Sequence, residues 1–254
     1  MNNKSKKIVA IIQARMGATR LPGKVMMEVN GVPLIKYQVE RIKRSKLIDE
    51  IVIATTHKVD DDPIVELCKK DDIDYFRGSE KDVLDRYHVC AKKHNADIIV
   101  RCTGDCPLVD PEIIDKTIKL LVNQGADFAS NTVPPEKRSF PEGSDLEVFT
   151  MEALERAHLE CNNPHDREHV TFYFWMYDNG FRTVLLNNEE KDFSDYRYTI
   201  DYPEDFEVLS FLINEIYREG IDGTVKEIVS LLNSNPEIKN KNSKYKFGIG
   251  WENE

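Results

Sequence analysis

Short apolar runs alternate with stretches of helical periodicity along the first half of the chain. The runs Ile8 to Ile12, Ile51 to Ala54 and Asp97 to Cys102 predict buried strands. Between the first two, apolar residues recur at the spacing of a helix face, at Leu34, Ile35, Val39 and Ile42. This alternation is typical of a mostly parallel sheet covered by helices on both faces. We therefore expect an α/β protein with three layers, αβα.

The rest of the chain continues the pattern with shorter signals. Further helices are predicted over Asp61 to Lys70, Val83 to Lys93, Pro111 to Asn123, Met151 to Leu159, Asp166 to Met176, Pro203 to Glu219 and Val225 to Leu232. Further strands are predicted over Asp74 to Phe76, Asp127 to Ser130, Leu146 to Thr150, Phe181 to Leu186 and Tyr196 to Ile200.

Two segments interrupt this order. Residues of about 131–150 begin with prolines, a glycine and mixed charges, which indicates a long functional loop or a small insertion. Residues of about 233–254 form a polar, lysine-rich tail with Phe247 and Trp251 as isolated apolar anchors. Because neither segment is a linker between two independent cores, we expect a single domain over residues 1–254.

Composition narrows the function classes. The chain has 254 residues, 41% of them apolar, and a formal net charge of -10. An acidic protein is a poor nucleic-acid binder, since that affinity depends on basic side chains that neutralise phosphates. No apolar run approaches the roughly 20 residues of a membrane span, and the start MNNKSKK lacks a signal-peptide core. We expect a cytoplasmic protein that binds neither nucleic acid nor membrane.

The cysteines support the same location. There are five, an odd number, as expected for reduced thiols. Cys102 and Cys106 are spaced CxxxC without a second pair nearby, which disfavours a zinc site.

The segment from Arg15 to Lys24 carries the strongest chemical signal. It directly follows the first strand and combines three cations with two glycines. Such a loop is either a solvated basic turn or a cradle in which cations and backbone N–H groups surround a polyphosphate. It is not a Walker loop, because Val25 replaces the required Ser or Thr, and Gly17 and Gly23 are too far apart for a dinucleotide fingerprint.

The run from Ile11 to Lys24, IIQARMGATRLPGK, resembles the signature loop of the cytidylyltransferases, which include the 3-deoxy-manno-octulosonate and acylneuraminate enzymes. Within that group the chain is most similar to the spore coat polysaccharide biosynthesis F type. The resemblance implies a nucleotide-diphospho-sugar transferase (GT-A-like) fold and Mg²⁺-dependent transfer of CMP from CTP to a sugar acid, with release of pyrophosphate. It also implies a homodimer.

Two aspartates lie at predicted strand ends, where ligands of open α/β sheets bind. Asp105 follows the third long strand and Asp201 precedes a helix that starts at Pro203, so each is also a plausible turn residue or helix cap. In the resembling family, the elements G-D-x-P and D-x-P-E-D hold the metal. Asp105 and Asp201 occupy those positions here, and the resemblance therefore implies that they bind Mg²⁺.

The resemblance and the position of each segment together give a set of expected site residues. Expected catalytic residues are Arg15, Lys24, Asp105 and Asp201. Expected nucleotide contacts are Ala14, Arg15, Gly17, Thr19, Arg20, Lys24, Arg77, Thr103 and Gly104. Expected acceptor contacts are Glu142, Asp145, Glu147, Arg167 and His169, which makes residues 131–150 the acceptor side.

Several questions stay open at the level of sequence. Ala18 and Thr103 stand where relatives have Ser and Gln, which weakens the inference of a cytosine preference. Arg101, a charge in an apolar strand, either contacts a ligand or forms a buried ion pair. His165 and His169 are spaced i,i+4, but without HExxH or a third ligand they do not indicate zinc.

Two other functions compete with the sugar-acid reaction. One is nucleotidyl transfer to a sugar 1-phosphate or another phosphorylated acceptor. The other is a non-catalytic nucleotide-sugar binding protein, because a fold does not fix a function. Two carboxylates beside Lys24 favour catalysis.

Overall fold

A seven-stranded sheet forms the centre of the computed structural model, which describes residues 6–248. The strands are β1 (Ile8–Gln13), β2 (Glu28–Val29), β3 (Val32–Pro33), β4 (Glu50–Thr56), β5 (Asp74–Gly78), β6 (Ile98–Thr103), β7 (Phe128–Ser130), β8 (Glu147–Thr150) and β9 (Thr183–Leu185). The order in the sheet is β5-β4-β1-β6-β8-β7-β9, and β2 and β3 form a separate hairpin. Strands β5, β4, β1 and β6 are parallel, whereas β8 runs antiparallel to both neighbours.

Helices cover both faces of this sheet. They are α1 (Leu34–Ile42), α2 (Asp62–Lys70), α3 (Val83–Lys93), α4 (Pro111–Gln124), α5 (Met151–Glu160), α6 (Pro164–His169), α7 (Phe172–Trp175), α8 (Pro203–Glu219), α9 (Val225–Ser234) and α10 (Pro236–Lys239). On one face, Ile35 of α1 and Ile114 of α4 pack in the same core as Ile12 of β1. On the other, Leu84 of α3 packs with Ile11. The predicted three-layer α/β fold is confirmed.

The helix boundaries follow from local chemistry. Helix α4 begins after Asp110, whose side chain accepts a hydrogen bond from Glu112 N, and Pro111 occupies its first turn. It ends at Gly125, which has a left-handed φ of 56° that glycine adopts at little cost. Helix α8 likewise has a proline, Pro203, in its first turn and a left-handed glycine, Gly220, after its last residue.

Two predicted elements are wrong. Tyr196 to Ile200 is not a strand: Tyr198 N donates to Glu142 O and Ile200 N donates to Asp105 O, so this backbone pairs with two loops. The helix predicted over Asp166 to Met176 breaks into α6 and α7, because Val170 between them has φ 62° and ψ -58°.

The two irregular segments contain regular structure, and the strand predicted over Leu146 to Thr150 is confirmed. The last four residues of the 131–150 segment form β8, which pairs between β6 and β7, and residues 135–137 form a 3₁₀ turn. The segment 233–254 begins with the end of α9 and with α10, while the predicted anchor Trp251 lies outside the described residues. None of the helices between residues 6 and 248 is both long and apolar enough to cross a bilayer.

Candidate active site

The basic loop after β1 is held in one conformation by a buried carboxylate. Asp61 Oδ1 accepts a 2.6 Å hydrogen bond from Met16 N, and Asp61 Oδ2 accepts one from the Thr56 hydroxyl. Gly23 N donates to Met16 O at 2.8 Å, and Gly23 adopts a left-handed φ of 72°. These bonds close the loop on itself and direct Lys24, the next residue, inward. The sequence gives no sign that Asp61 has this role.

The two aspartate turns are joined directly. Asp105 follows β6, and its carbonyl oxygen accepts hydrogen bonds from Ile200 N at 2.9 Å and from Thr199 Oγ1 at 3.0 Å. The Lys24 ammonium lies between the two carboxylates, 2.9 Å from Asp201 Oδ1 and 3.3 Å from Asp105 Oδ2. Loop and turns therefore form one charged centre at the carboxyl ends of β1 and β6.

The charges in this centre stabilise one another. Burial alone would lower the pKa of Lys24, but the carboxylates of Asp105 and Asp201 outweigh it and raise that pKa above its ordinary value. Burial alone would raise the pKa of Asp201, but Lys24 and Arg20 lower it. Lys24 is therefore an ammonium and Asp201 a carboxylate at neutral pH.

A buried guanidinium orients Asp201 from behind. Arg197 Nη2 lies 3.3 Å from Asp201 Oδ2 and 2.8 Å from Asp205 Oδ2. Asp205 Oδ2 also accepts the backbone N–H of Asp201 at 2.9 Å. On the cleft side, Arg20 Nη2 lies 2.9 Å from Asp201 Oδ1. Arg197 is a site residue that sequence reasoning missed, because it lies in a segment misread as a strand.

The irregular segment brings further carboxylates to the same cleft. Arg197 Nη1 lies 2.5 Å from Glu142 Oε2, yet burial, aided by Asp145 and Asp201, raises the pKa of Glu142 to about 8. Asp145 Oδ2 accepts Gly143 N at 2.6 Å, and burial raises the pKa of Asp145 to about 6.

The structure answers the question about Arg101. Its guanidinium forms an ion pair with Glu147 and lies 3.3 Å from Gln13 Oε1. Glu147 Oε1 also accepts the Thr171 hydroxyl at 2.6 Å. Arg101 is thus a partner in a buried ion pair, although both charged residues also line the cleft.

His169 lines the cleft with an unpartnered ring nitrogen. Its Nε2 is buried and has no hydrogen-bond partner, and its ring stacks on Phe172 with centroids 4.4 Å apart. Burial, together with His165 and Arg101, lowers the pKa of His169 to about 4. The next residue, Val170, sits in a γ-turn closed by Thr171 N and His169 O at 2.6 Å, a strained conformation for a β-branched residue.

The cleft brings together thirteen of the predicted site residues. They are Ala14, Arg15, Thr19, Arg20, Lys24, Thr103, Gly104, Asp105, Glu142, Asp145, Glu147, His169 and Asp201. Gly104 packs closely in this lining, because a Cβ there would lie 3.0 Å from Gln13 O and 3.0 Å from Val25 Cγ1, and these neighbours would have to shift to admit a side chain.

Three predicted contacts lie outside this lining. Arg77 donates instead to Thr56 O at 2.7 Å and to Asp62 Oδ1 at 2.6 Å, so its guanidinium ties β5 to the start of α2. Arg167 donates to Asp82 Oδ2 at 2.8 Å, which ties α6 to the start of α3. Gly17 is exposed, and a Cβ there would meet nothing within 4 Å.

Other lining residues were not predicted. Arg86 lies in the helix predicted over Val83 to Lys93, and it lines the cleft and donates to Ser79 O at 2.7 Å. Thr132 lines the cleft from the irregular segment, and Phe247 does so from the tail. The sequence identifies Phe247 as an apolar anchor, but its long separation from the other site residues gives no sign that it lies in the cleft.

The donor chemistry fits a magnesium ion. Asp105 and Asp201 both place a carboxylate oxygen within 3.3 Å of the Lys24 ammonium, and Mg²⁺ prefers oxygen ligands from one or two carboxylates together with phosphates. The described lining contains six Asp and Glu side chains and five Lys and Arg side chains, so it has no large excess of positive charge. A polyphosphate that enters this lining adds negative charge, which a divalent cation would offset.

Comparisons with known proteins agree with this geometry. Residues 9–230 match the family model described as Cytidylyltransferase. The chain is 35% identical over 236 residues to the spore coat polysaccharide biosynthesis protein SpsF of Bacillus subtilis, covering 91% of this chain and 95% of that protein. It is 38% identical over 120 residues to a 3-deoxy-manno-octulosonate cytidylyltransferase of Bdellovibrio bacteriovorus, covering 46% of this chain and 47% of that protein.

A solved structure extends the similarity to the fold. The structure of a cytidylyltransferase from Leptospira borgpetersenii superposes with a TM-score of 0.85 at 38% identity, covering 92% of this chain and 98% of that one. The chain therefore belongs to the cytidylyltransferase family and is a CTP-dependent nucleotidyltransferase.

Proposed function

We propose that this protein is a Mg²⁺-dependent enzyme that transfers CMP from CTP to a sugar acid, in the synthesis of a surface polysaccharide or glycan. The observation that carries the proposal is the Lys24 ammonium between Asp105 and Asp201, at the end of a loop with two further cations. The names of the similar SpsF and octulosonate proteins support the choice of product.

The reaction is an in-line substitution at phosphorus. A hydroxyl oxygen of the sugar acid attacks the α-phosphorus of CTP, a new P–O bond forms, and the bond from that phosphorus to the α,β-bridging oxygen breaks. Pyrophosphate leaves with the bond electrons, and the hydroxyl proton passes to solvent. Because no covalent enzyme intermediate is needed, the protein acts by positioning the two substrates and by neutralising charge.

The residues of the cleft divide this work. Lys24, Arg15 and Arg20 hold the phosphates, and their charge stabilises the departing pyrophosphate. Asp105 and Asp201 would hold Mg²⁺, which supplies charge neutralisation at the α-phosphate when bound.

The carboxylates of the irregular segment favour a sugar as acceptor. Glu142, Asp145 and Glu147 present carboxyl oxygens that accept hydrogen bonds, as sugar hydroxyls require, and the negative charges of Asp145 and Glu147 would repel the phosphate of a sugar 1-phosphate. This is why we prefer the sugar acid to a phosphorylated acceptor. Its single carboxylate carries less charge than a phosphate, and Arg101 and Arg86 lie in the same lining.

The location of the enzyme is proposed from its thiols. All five cysteines are free and buried, which is consistent with the reducing cytoplasm. A homodimer remains a proposal that sedimentation would test.

Pyrophosphate release tests the reaction. Purified protein, CTP and Mg²⁺ are incubated with a panel of sugar acids, including 3-deoxy-manno-octulosonate and N-acetylneuraminate, and with sugar 1-phosphates. We expect release with at least one sugar acid and none with the sugar 1-phosphates; the reverse pattern would replace the proposed acceptor. CTP with Mg²⁺ should raise Tm more than UTP, GTP or ATP does, and an equal rise would remove the cytidine assignment.

Amide variants test the metal site. Asp105→Asn and Asp201→Asn should each lower the rate of pyrophosphate release by about 100-fold or more, because each removes a charged oxygen ligand. Asp222→Asn, at an exposed aspartate outside the cleft, is the matched control. Full activity in the two site variants would contradict the metal model.

A further inference from the structure

The last described residues of the chain, Asn242–Gly248, form a segment that we call the C-terminal strap. The family model ends its match at residue 230, so the strap lies beyond the part of the chain that the model covers. Even so, Phe247 and Gly248 line the same cleft as Lys24 and Asp201.

The strap is fixed at its start by a buried amide. Asn242 is 2% exposed, and its Nδ2 donates to Asp205 Oδ1 at 2.9 Å and to Arg197 O at 3.3 Å. Asp205 in turn accepts the backbone N–H of Asp201, and Arg197 contacts the Asp201 carboxylate. Asn242 is therefore bonded to the residues that orient Asp201, without touching Asp201 itself.

An aromatic stack fixes the middle of the strap. The rings of Tyr245 and Tyr202 are parallel within 2°, with centroids 3.7 Å apart. The Tyr245 hydroxyl donates to Glu204 Oε2 at 2.9 Å. Since Tyr202 directly follows Asp201, this stack holds the strap against the turn that carries the aspartate.

The end of the strap contacts the irregular segment. The Arg138 guanidinium lies 3.9 Å from the centroid of the Phe247 ring, and Arg138 Nη2 donates to Ser194 O at 2.8 Å. Arg138 precedes Glu142 and Asp145, whose carboxylates line the cleft. Phe247 thus adds an aromatic surface to a lining that is mostly polar.

We propose that Phe247 is a specificity-determining residue for the acceptor: its ring packs against the carbon skeleton of the sugar acid, and Asn242 is the positioning residue that holds it there. This rests on the proposed function, since it concerns the same cleft. A sugar presents patches of C–H groups as well as hydroxyls. An aromatic ring in the same lining as the carboxyl groups of Glu142 and Asp145 would complement both kinds of group.

Steady-state kinetics of pyrophosphate release test this proposal, with the sugar acid of the panel that gives the highest rate in the wild type. Phe247→Ala should raise KM for that acceptor about five- to tenfold and leave KM for CTP within twofold. Phe247→Leu, which keeps an apolar side chain, should have a smaller effect. Lys246→Ala is the matched control, because Lys246 is exposed and adjacent. The shift of Tm by CTP should be the same in all four proteins.

Asn242→Ala tests the anchor. Release of the strap should raise KM for the acceptor as much as Phe247→Ala does and should also lower kcat, because the Asp201 turn loses support. If Asn242 only stabilises the fold, Asn242→Ala would lower Tm without changing the ratio of KM for the acceptor to KM for CTP. That result would overturn the proposal. So would an unchanged acceptor KM, or a raised KM for CTP, in Phe247→Ala. If the wild type releases no pyrophosphate with any sugar acid of the panel, the proposed function fails, and this inference fails with it.

Discussion

Lys24 Nζ lies 2.9 Å from Asp201 Oδ1, in a centre where the same ammonium is also 3.3 Å from Asp105. An ammonium group between two carboxylates holds them near each other without a metal ion. When CTP binds, the phosphates provide the ammonium with a second set of anionic partners. We infer that Lys24 keeps the two aspartates in place in the free enzyme and binds phosphate in the substrate complex.

Lys24→Met should therefore affect catalysis and metal binding in opposite directions. The rate of pyrophosphate release should fall about 100- to 1,000-fold, as for loss of one strong electrostatic donor. Mg²⁺ alone should raise the Tm of the variant more than that of the wild type, because the ion then relieves the repulsion between Asp105 and Asp201. Lys43→Met, at an exposed lysine paired within its own turn, is the control. A variant that keeps a tenth of the activity, or gains no extra stabilisation from Mg²⁺, would contradict this role.

Arg101 and Glu147 should behave as a buried pair in unfolding experiments. Glu147 is 7% exposed, and Arg101→Met leaves its carboxylate without a counter-charge. Loss of one partner of such a pair costs about 3 to 5 kcal/mol, whereas replacing both partners by apolar residues is often close to neutral. We expect urea unfolding to show that cost for Arg101→Met and to show most of it recovered in Arg101→Met with Glu147→Leu.

A double variant as unstable as the single one would contradict the ion-pair interpretation. Activity is a separate readout, because both residues line the cleft. The recovered double variant is therefore expected to be stable but slow.

The sequence predicted the scaffold well for a physical reason. Central strands such as Ile8–Gln13 and helices such as Pro203–Glu219 carry their pattern in neighbouring residues, and Pro and Gly mark the helix ends. The Tyr196 to Ile200 segment failed because its alternation serves hydrogen bonds to loops around Glu142 and Asp105, which lie far away in the chain.

Site residues could be predicted where they follow a strand. They could not be predicted where a partner far away in the chain decides which way the side chain points. Lys24 and Asp105 come together beyond the ends of β1 and β6, as expected, whereas Asp201 joins them although the segment before it is not a strand. Arg77 also lies near the end of a strand, β5, but its guanidinium donates to Thr56 O and Asp62 and does not line the cleft. The roles of residues such as these depend on three-dimensional neighbours that no local pattern encodes.

Gly143 should be intolerant of any side chain. Its φ is 105°, and a Cβ there would lie 2.5 Å from Tyr198 C and 2.6 Å from Thr199 N, both backbone atoms. Gly143→Ala should therefore displace the irregular segment, lower Tm and weaken acceptor binding, since Gly143 N also holds Asp145. Gly125→Ala separates strain from clash: Gly125 has a φ of 56° but open space around it, so that variant should lose only about 1 kcal/mol. Equal losses in the two variants would show that the predicted clash does not occur.

His169 should remain neutral well below the pH at which an ordinary histidine gains a proton. Its folded pKa of about 4 lies below the value of 6.5 for an unperturbed ring, because burial and the neighbouring His165 and Arg101 disfavour the charged form. The neutral ring therefore contributes stability above pH 6.5, and that contribution is lost as pH falls from 6.5 through 4.

NMR of the ring protons should show no titration of His169 above about pH 5, with His169→Gln used to assign the signal. As pH falls from 6.5 to 4.5, the free energy of unfolding measured in urea should decrease less for His169→Gln than for the wild type. A His169 ring that titrates near pH 6.5 would mean that Nε2 is hydrated or paired, and the cleft would then present an imidazolium to the substrate near neutral pH.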